Sequence, residues 1–537
     1  AQTLSGPLPL FGSLPSPLAH LGRKPASQAS MPVLLGNATA ANADIADKPR
    51  EDDATGQGAA ANSAEEQESE PSLQMQLLLC AAGMLEGADT QLLPTSMFAL
   101  QRDIGFKLTD LAYLTVAQGV CINLAAPLWG ILADRRILRR RSILVIGSLG
   151  QGLVTIALAT TTSLWAMIVL RAVVGSLLAA LRPISNGIIA DVTSEGRRGK
   201  IFGRVQCSLL VGMFLSTMIV GNMSRKTIFG LNGWRVAFGI IGVLAMAVGC
   251  IIGRFLQEPP VRDAPKDSSQ AEGRRCSALW AIFEEIKDLC KFLSIPTFCV
   301  MIMQGIFGTI PWTVMGNMLL YFQLSGIDDG KASVLTGEQP VAGAFGNLMG
   351  GYIADFLAGK FGYHGRPFSA QITVALGIPL IWLIFGGVPA GSGSFGLYFA
   401  LIAGFGLLGS WAQSGTNFPI LSDIVPAEAR SRVMAWECAL ENSIANLLGP
   451  PMVTLLATKA FGYTFGDDDG GDGKDLESAA ALGKAMQATI CIPWCVTLAA
   501  YTLLHWSYPR DVRRLAAQRA KAPQANAPNQ DGTDRAA

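Results

Sequence analysis

The pentapeptide Gly-Ile-Leu-Ala-Asp ends one long apolar segment of the sequence at residues 130–134, and Gly-Tyr-Ile-Ala-Asp ends another at residues 351–355. A second pair of markers repeats as well, each an acid followed seven residues later by an arginine: Asp191 with Arg198, and Asp423 with Arg430. Two markers that recur in the same order indicate a duplication. The sequence therefore predicts two matched halves that run in parallel.

The composition is that of a polytopic membrane protein. Of the 537 residues 50% are hydrophobic and 15% are charged, and the mean hydropathy is +0.36, which disfavours a water-soluble globular protein. The net charge of +1 disfavours a nucleic-acid-binding protein. Apolar runs long enough to cross the bilayer as helices recur about twelve times. Numbered helix 1 to helix 12, they are 75–98, 110–133, 142–162, 164–190, 201–222, 233–254, 297–322, 331–354, 368–389, 395–421, 433–458 and 483–506.

The longest gap between these runs divides them six and six. We therefore expect an all-α membrane protein built from two pseudo-symmetric six-helix bundles. The predicted domains are a disordered tail at 1–72, a first bundle at 73–254, a linker at 255–296, a second bundle at 297–508 and a disordered tail at 509–537. Residues 277–293 of the linker place apolar side chains on one helical face, which predicts an amphipathic surface helix. No acid precedes Asp44, a composition compatible with a targeting segment.

Basic residues mark one side of the membrane. They follow the even-numbered helices, as Arg139, Arg140, Arg430 and Arg510 illustrate, and we call the end with these loops the basic face and the other end the opposite face. Because Lys and Arg in short loops are retained in the cytoplasm, we expect the basic face and both termini to be cytoplasmic. Which membrane holds the protein stays open.

The loop after helix 2 resembles the signature of the major facilitator superfamily, in which a glycine and an Asp-Arg pair precede a further glycine and two basic residues. The matching residues are Gly130, Asp134, Arg135, Arg139 and Arg140, with Ile137 where the signature has its second glycine. The second-half copy keeps Gly351 and Asp355. Arg171 and Gly175 match a helix 4 pattern of the superfamily. Gly449-Pro450-Pro451 and Gly233-Trp234-Arg235 further resemble its spinster-like branch.

This resemblance implies a rocker-switch transporter in which helices 1, 4, 7 and 10 line a central cavity and the signature loops gate its cytoplasmic mouth. The signature has a local physical reason. Asp134 can accept backbone N–H groups at a helix start, while Arg139 or Arg140 can pair with Asp191 and hold two helices together in one state. The alternative is that the basic loops only set the topology.

Four ionisable residues lie inside the predicted spans of helices 1 and 4. Such groups normally face a partner or a cavity, because a buried charge costs several kcal/mol. Glu86 and Asp89 share one face of helix 1, and Arg171 and Arg182 share one face of helix 4. Counting in from the helix ends brings Asp89 near Arg171 and Glu86 near Arg182. Each pair either takes part in proton coupling or is a fixed structural ion pair.

The second half carries fewer charges inside its spans. Glu437 and Glu441 lie one turn apart near the predicted start of helix 11, where gate or headgroup contacts are the usual role of acids, and Glu338 lies in helix 8. Helices 7 and 10 offer neutral polar and aromatic groups suited to a partly apolar solute, with helix packing as their alternative role. These cavity candidates are Gln304, Trp312, Asn317, Tyr321, Trp411, Gln413 and Asn417.

The expected function is secondary active transport of a small organic solute, an organic anion or a lipid-derived molecule, with protons as the coupling ion. The alternative is a non-transporting nutrient sensor on the same scaffold. The 10 cysteines are scattered, and neither a catalytic constellation nor a nucleotide-binding glycine loop is present. We therefore expect no enzyme activity, no cofactor and no metal. The expected partners are the bilayer and the solute, and the expected state is a monomer.

Overall fold

The computed structural model describes residues 72–134, 137–193, 195–257, 287, 289–389, 391–426, 429–465 and 472–525. This part of the chain is mostly helical, and each predicted apolar run corresponds to one helix or to a series of short helices. In order these are Leu73–Leu92, Pro94–Ser96 and Met97–Ile104 (helix 1); Leu108–Asp134 (2); Arg140–Thr160 (3); Leu164–Leu178 and Leu181–Val192 (4); Glu195–Met223 (5); Gly233–Phe255 (6); Pro296–Val314, Met315–Asn317 and Met318–Leu324 (7); Asp329–Phe361 (8); Gly365–Trp382 and Leu383–Gly387 (9); Phe395–Gly409, Gln413–Asn417 and Phe418–Asp423 (10); Arg430–Leu455 and Leu456–Ala460 (11); and Asp472–Ala525 (12). The predicted all-α fold class is confirmed.

Helices 1, 4, 7 and 10 are each interrupted near their middle or their far end. In helix 1 the break falls at Pro94, which lacks the N–H that would continue the helix. In helix 4 it falls at Ala179 and Ala180, just before Pro183, whose ring nitrogen cannot donate to the carbonyl of Ala179. These breaks leave backbone groups of helices 1 and 4 without their regular helical hydrogen bonds.

Helix packing repeats between the halves. Helix 1 packs against helix 5, helix 2 against helix 4 and helix 3 against helix 6; in the second half helix 7 packs against helix 11, helix 8 against helix 10 and helix 9 against helix 12. Each pairing recurs six helices later, as a duplicated chain requires. Helix 2 meets helix 11 and helix 5 meets helix 8 across the boundary between the halves.

Direct contacts join the two halves at the opposite face. Arg225 donates to Asp329 at 2.9 Å, and the Tyr463 hydroxyl donates to Gln101 at 3.1 Å. Phe98 packs edge-on against Phe465 with ring centroids 5.4 Å apart. Nearby, strands Thr227–Ile228 and Leu231–Asn232 form a short antiparallel hairpin between helices 5 and 6. The halves are therefore closed against each other at this end.

Hydropathy does not identify all twelve helices equally well. Within the described residues nine stretches are long and apolar enough to span a membrane, and one of them, Asp329–Gly387, contains both helix 8 and helix 9. Helices 1 and 11 are not among the nine. They are the helices that carry the acid pairs Glu86/Asp89 and Glu437/Glu441, so the two least apolar spans are those with buried carboxylates.

Two domain limits differ from the sequence prediction or fall outside the described residues. Helix 12 continues to Ala525, so the prediction of a disordered tail from residue 509 is wrong; the added turns are rich in Ala and Arg, which favour helix. Most of the predicted surface helix at 277–293, and the tail at 1–71, lie outside the described residues. The limits of the two bundles stay a prediction.

Candidate functional site

A cavity of about 800 Å³ lies between the two halves. Helices 4, 5, 7, 8, 9, 10, 11 and 12 all contribute to its lining. A smaller cavity of about 290 Å³ shares Arg182 and Gln206 with it, and there helix 1 contributes Gly83 and Glu86. The two cavities therefore adjoin at Arg182. Their polar groups are the candidate site.

Glu86 and Arg182 form an ion pair in the wall of these cavities. The Arg182 Nη2 atom lies 2.7 Å from Glu86 Oε1. The Glu86 side chain is only 7% exposed, whereas that of Arg182 is 57% exposed. The pair thus has a buried acid and a base that reaches open space, so the guanidinium can meet a solute without leaving the wall.

Asp89 is completely buried one turn further along helix 1. Gln118 of helix 2 donates to one carboxylate oxygen at 3.0 Å, and Gln151 of helix 3 donates to the other at 2.9 Å. Within the described residues no ion pair of hydrogen-bonding length joins Asp89 to Arg171, although the two buried charges lie close enough to interact electrostatically. The hydrogen bonds that Asp89 accepts come from the two neutral amides.

Arg171 is also buried, with 1% of its surface exposed. Its Nε and Nη1 atoms have no hydrogen-bond partner among the described residues. Close packing holds it near helix 2, since a Cβ atom on Gly175 would come within 2.5 Å of the Gln118 carbonyl oxygen. Gly175 therefore sets how closely helix 4 approaches the residue that binds Asp89.

A second acid pair lies in helix 11. Glu437 is fully buried, and Glu441 is 3% exposed and lines the large cavity. Gln413 lies 3.5 Å from Glu441 Oε1, and the Cys438 thiol donates to Glu437 Oε2 at 3.4 Å. Both acids are buried away from lipid headgroups in this structure, because helix 11 begins at Arg430, two turns before Glu437. Their spacing predicts their shared helical face, whereas their depth depends on where the helix begins, and a role in gating stays a prediction.

Polar side chains join helices 10 and 12 beside this pair. The Tyr501 hydroxyl donates to Asn417 at 3.0 Å, and Asn417 donates to Gln413 at 2.8 Å. Gln304, Trp312, Gln413 and Asn417 all line the large cavity. Trp312 packs near Trp494, with ring centroids 6.3 Å apart. The second-half wall therefore offers hydrogen-bonding groups next to aromatic surface.

Three other cavity candidates lie elsewhere. Asn317 lines a separate small pocket and donates to the Val314 carbonyl at 3.1 Å. The Tyr321 hydroxyl contacts the Tyr398 hydroxyl at 3.1 Å in the core of the second half, and Trp411 donates to the Ser369 carbonyl at 3.2 Å. For these three the alternative role, helix packing, describes what they do. In a helix that is apolar on nearly all sides, the position of a residue in the sequence does not show whether its side chain faces the cavity or a neighbouring helix.

The loop after helix 2 contributes one of the two ion pairs predicted for Asp191. Arg140, the first residue of helix 3, forms an ion pair with Asp191 at the end of helix 4. Of the two arginines that the sequence offered for Asp191, Arg139 and Arg140, the structure therefore pairs Arg140. A Cβ atom on Gly130 would meet no other atom within 4 Å. The side chains of Asp134, Arg135 and Arg198 lie outside the described ones.

The acids and the arginine of the second-half copy have partners of their own. Asp355 pairs with Arg366 at 3.1 Å, and Arg366 also donates to the Gly415 carbonyl at 3.0 Å. Asp423 accepts a hydrogen bond from Tyr508 at 2.6 Å, and Arg430 donates to the Ser422 carbonyl at 3.1 Å. A Cβ atom on Gly351 would also meet open space. Asp423 thus has a tyrosine partner where Asp191, its first-half counterpart, has Arg140.

Comparisons with known proteins agree with this architecture. A family model described as Major Facilitator Superfamily matches residues 79–465. The Myo-inositol transporter 1A of Cryptococcus neoformans var. grubii is 27% identical over 217 residues, covering 40% of this chain and 36% of that protein. The multidrug resistance protein MdtG of Proteus mirabilis is 23% identical over 386 residues, covering 70% of this chain and 86% of that protein. The chain spans less than half the length of the first curated relatives it matches.

Among solved structures, a bacterial homologue of the human lysosomal transporter Spinster, in an inward-facing and unoccupied conformation, aligns with a TM-score of 0.65. It is 18% identical, and the alignment covers 82% of this chain and 99% of that chain. At this identity the likeness shows the fold. Fold and cavity together define an integral, multi-pass α-helical membrane protein built from two repeated halves. The chain belongs to the Major Facilitator Superfamily.

Proposed function

We propose that the protein is a secondary active transporter that moves a small organic solute by alternating access and couples this movement to protons. The observation that carries the proposal is the Glu86–Arg182 ion pair, which lies where two cavities adjoin. A carboxylate that exchanges its arginine partner for a proton changes the charge of the cavity wall. Solute binding and protonation can then influence each other.

Closure of the opposite face supports alternating access. Arg225–Asp329 and Tyr463–Gln101 join the halves there, while the smaller cavity includes Asn186 of helix 4 near the basic face. For the cavity to open to the other side, the contacts at the opposite face must break. We propose that the structure is the state open toward the basic face, and that this face is cytoplasmic.

The relatives support a class of cargo and no single compound. They include a myo-inositol transporter, a multidrug resistance protein and, among solved structures, a D-xylose–proton symporter and a nucleoside transporter. Inositol, xylose and nucleosides are all small organic solutes. An intact ion pair beside an open cavity also favours transport over the sensor alternative, which would tolerate the loss of either feature.

The test is uptake into liposomes that contain the purified full chain, with an imposed pH gradient and a panel of sugars, organic anions and amines. The native protein should accumulate at least one solute. Glu86→Gln and Asp89→Asn should abolish gradient-driven accumulation while solute exchange without a gradient persists. Glu477→Gln, at an exposed position outside the cavity lining, is the matched control. Unchanged accumulation in both variants would refute proton coupling, and a panel without any moving solute would refute transport.

A further inference from the structure

The two carboxylates of helix 11 lack a counter-charge. Glu437 and Glu441 lie close enough that single oxygens from both, and the Cys438 sulfur, all fall within 4.8 Å of one another. Neither acid forms an ion pair with a described basic residue. Glu437 Oε1 and Glu441 Oε2 have no hydrogen-bond partner among the described residues. Buried carboxylates without a counter-charge are costly, so a cation or a proton has to compensate them.

A separate side chain in the same wall also lacks a partner. Gln304 of helix 7 is 1% exposed and lines the large cavity with Glu441, and its Nε2 donor is unpaired among the described residues. The neighbouring Gly305 accommodates the acid, because a Cβ atom there would come within 2.1 Å of Glu441 Oε2. The wall of the cavity thus holds an unpaired carboxylate oxygen on helix 11 and, on the adjoining helix 7, a glutamine amide whose oxygen can accept from the same donor, and both suit an ammonium group.

We propose that Glu437 and Glu441 form a subsite of the cavity for an ammonium group of the transported solute, an inference that rests on the proposed function. Glu441 contacts the ammonium group, and the buried Glu437 beside it adds a second negative charge that attracts the same group. The other charged and titratable groups around the pair are Cys438, Tyr501 of helix 12 and Arg182 across the cavity.

The charges of the cavity fit this assignment. Arg182 in the first-half wall is paired with Glu86, so its positive charge is already compensated and repels an ammonium group less. Trp312 and Trp494 line the same cavity, and aromatic faces attract ammonium groups. An amine with an apolar or aromatic body can therefore place its charge at Glu441 and its body against these rings.

The experiment measures equilibrium binding to the purified full chain in detergent, without any gradient. The probes share one skeleton and differ in charge: 2-phenylethylamine, which is an ammonium ion at neutral pH, the neutral 2-phenylethanol and the anion phenylacetate. A charge-assisted contact predicts that the amine binds about tenfold tighter than the alcohol. Glu441→Gln and Glu437→Gln should each reduce this ratio to within about threefold, whereas the exposed control Glu477→Gln should keep it. Thermal unfolding confirms that each variant is folded.

Equal binding of amine and alcohol to the native protein would overturn the subsite, as would a full preference retained in folded Glu441→Gln. The result is independent of the transport test. If Glu86→Gln abolishes gradient-driven uptake and keeps the amine preference, both proposals stand. If uptake is coupled to protons as proposed but the native protein shows no preference for the amine, only the subsite is refuted. If the native protein prefers the amine but uptake is not coupled to protons, the subsite stands and the coupling is refuted.

Discussion

Arg182 Nη2 lies 2.7 Å from Glu86 Oε1, yet 57% of the arginine side chain is exposed and only 7% of the glutamate side chain is. Removing one partner or the other should therefore destabilise the protein to different extents. Without Arg182 a buried carboxylate is left unpaired, which costs roughly 1–3 kcal/mol, whereas without Glu86 the arginine still reaches open space. We expect Arg182→Gln to lower the melting temperature more than Glu86→Gln at pH 7.5.

The same pair predicts a pH dependence. When the pH is lowered, a protonated Glu86 no longer needs a cation, so the stability difference between Arg182→Gln and the native protein should narrow. The measurement is thermal unfolding in detergent at pH 7.5 and pH 5, with the exposed Arg102→Gln as control. Arg182→Gln and Glu86→Gln that lower the melting temperature equally at both pH values would contradict the unequal effect of removing the two partners.

Helical spacing and helix direction place Glu86 at the depth of Arg182, and this part of the site is readable from the sequence. The partners of Asp89 are not readable in the same way. Gln118 and Gln151 lie on helices 2 and 3, and their position around helix 1 depends on packing between nearly uniformly apolar helices, which carry little periodic signal. The available sequence signal was that each of these glutamines is a polar amide inside an apolar span, which indicates a hydrogen-bond partner on another helix. The depth of Glu441 was likewise set by where helix 11 begins.

Contacts at the opposite face should control the balance between the two open states. Asp329→Asn removes the ion pair with Arg225, a partly exposed contact worth up to about 1 kcal/mol, which corresponds to roughly a fivefold shift in population. Ser333, buried beside Gly221 in the boundary between the halves, serves as a reporter. In a background with the exposed cysteines replaced, Ser333→Cys should react several-fold faster with a maleimide when Asp329→Asn is present. Glu477→Gln is the control, and an unchanged rate would show that the ion pair does not hold the halves together.

Glycines that look alike in the sequence should respond differently to alanine. At Gly175 the added methyl group would collide with the Gln118 carbonyl oxygen, whereas at Gly130 and Gly351 it would meet open space. We expect Gly175→Ala to cost about 1–3 kcal/mol through overpacking and to impair gradient-driven uptake. Gly130→Ala and Gly351→Ala should unfold at or slightly above the native temperature in the same thermal assay, because alanine favours helix over glycine. A loss of stability at Gly130 equal to that at Gly175 would contradict the packing argument.

The helix 7 wall offers a test of the acid subsite that leaves both acids in place. A methyl group at Gly305 would collide with Glu441 Oε2 and push the carboxylate away, while a methyl group at Gly308, one turn further on, would make only ordinary contacts of 3.6 Å and more. Gly305→Ala should therefore reduce the preference for 2-phenylethylamine over 2-phenylethanol to within about threefold, and Gly308→Ala should keep the native ratio of about tenfold. Both variants are compared by equilibrium binding, with thermal unfolding as the check on folding. If the two alanines change the ratio equally, the position of the Glu441 carboxylate does not determine recognition of the ammonium group.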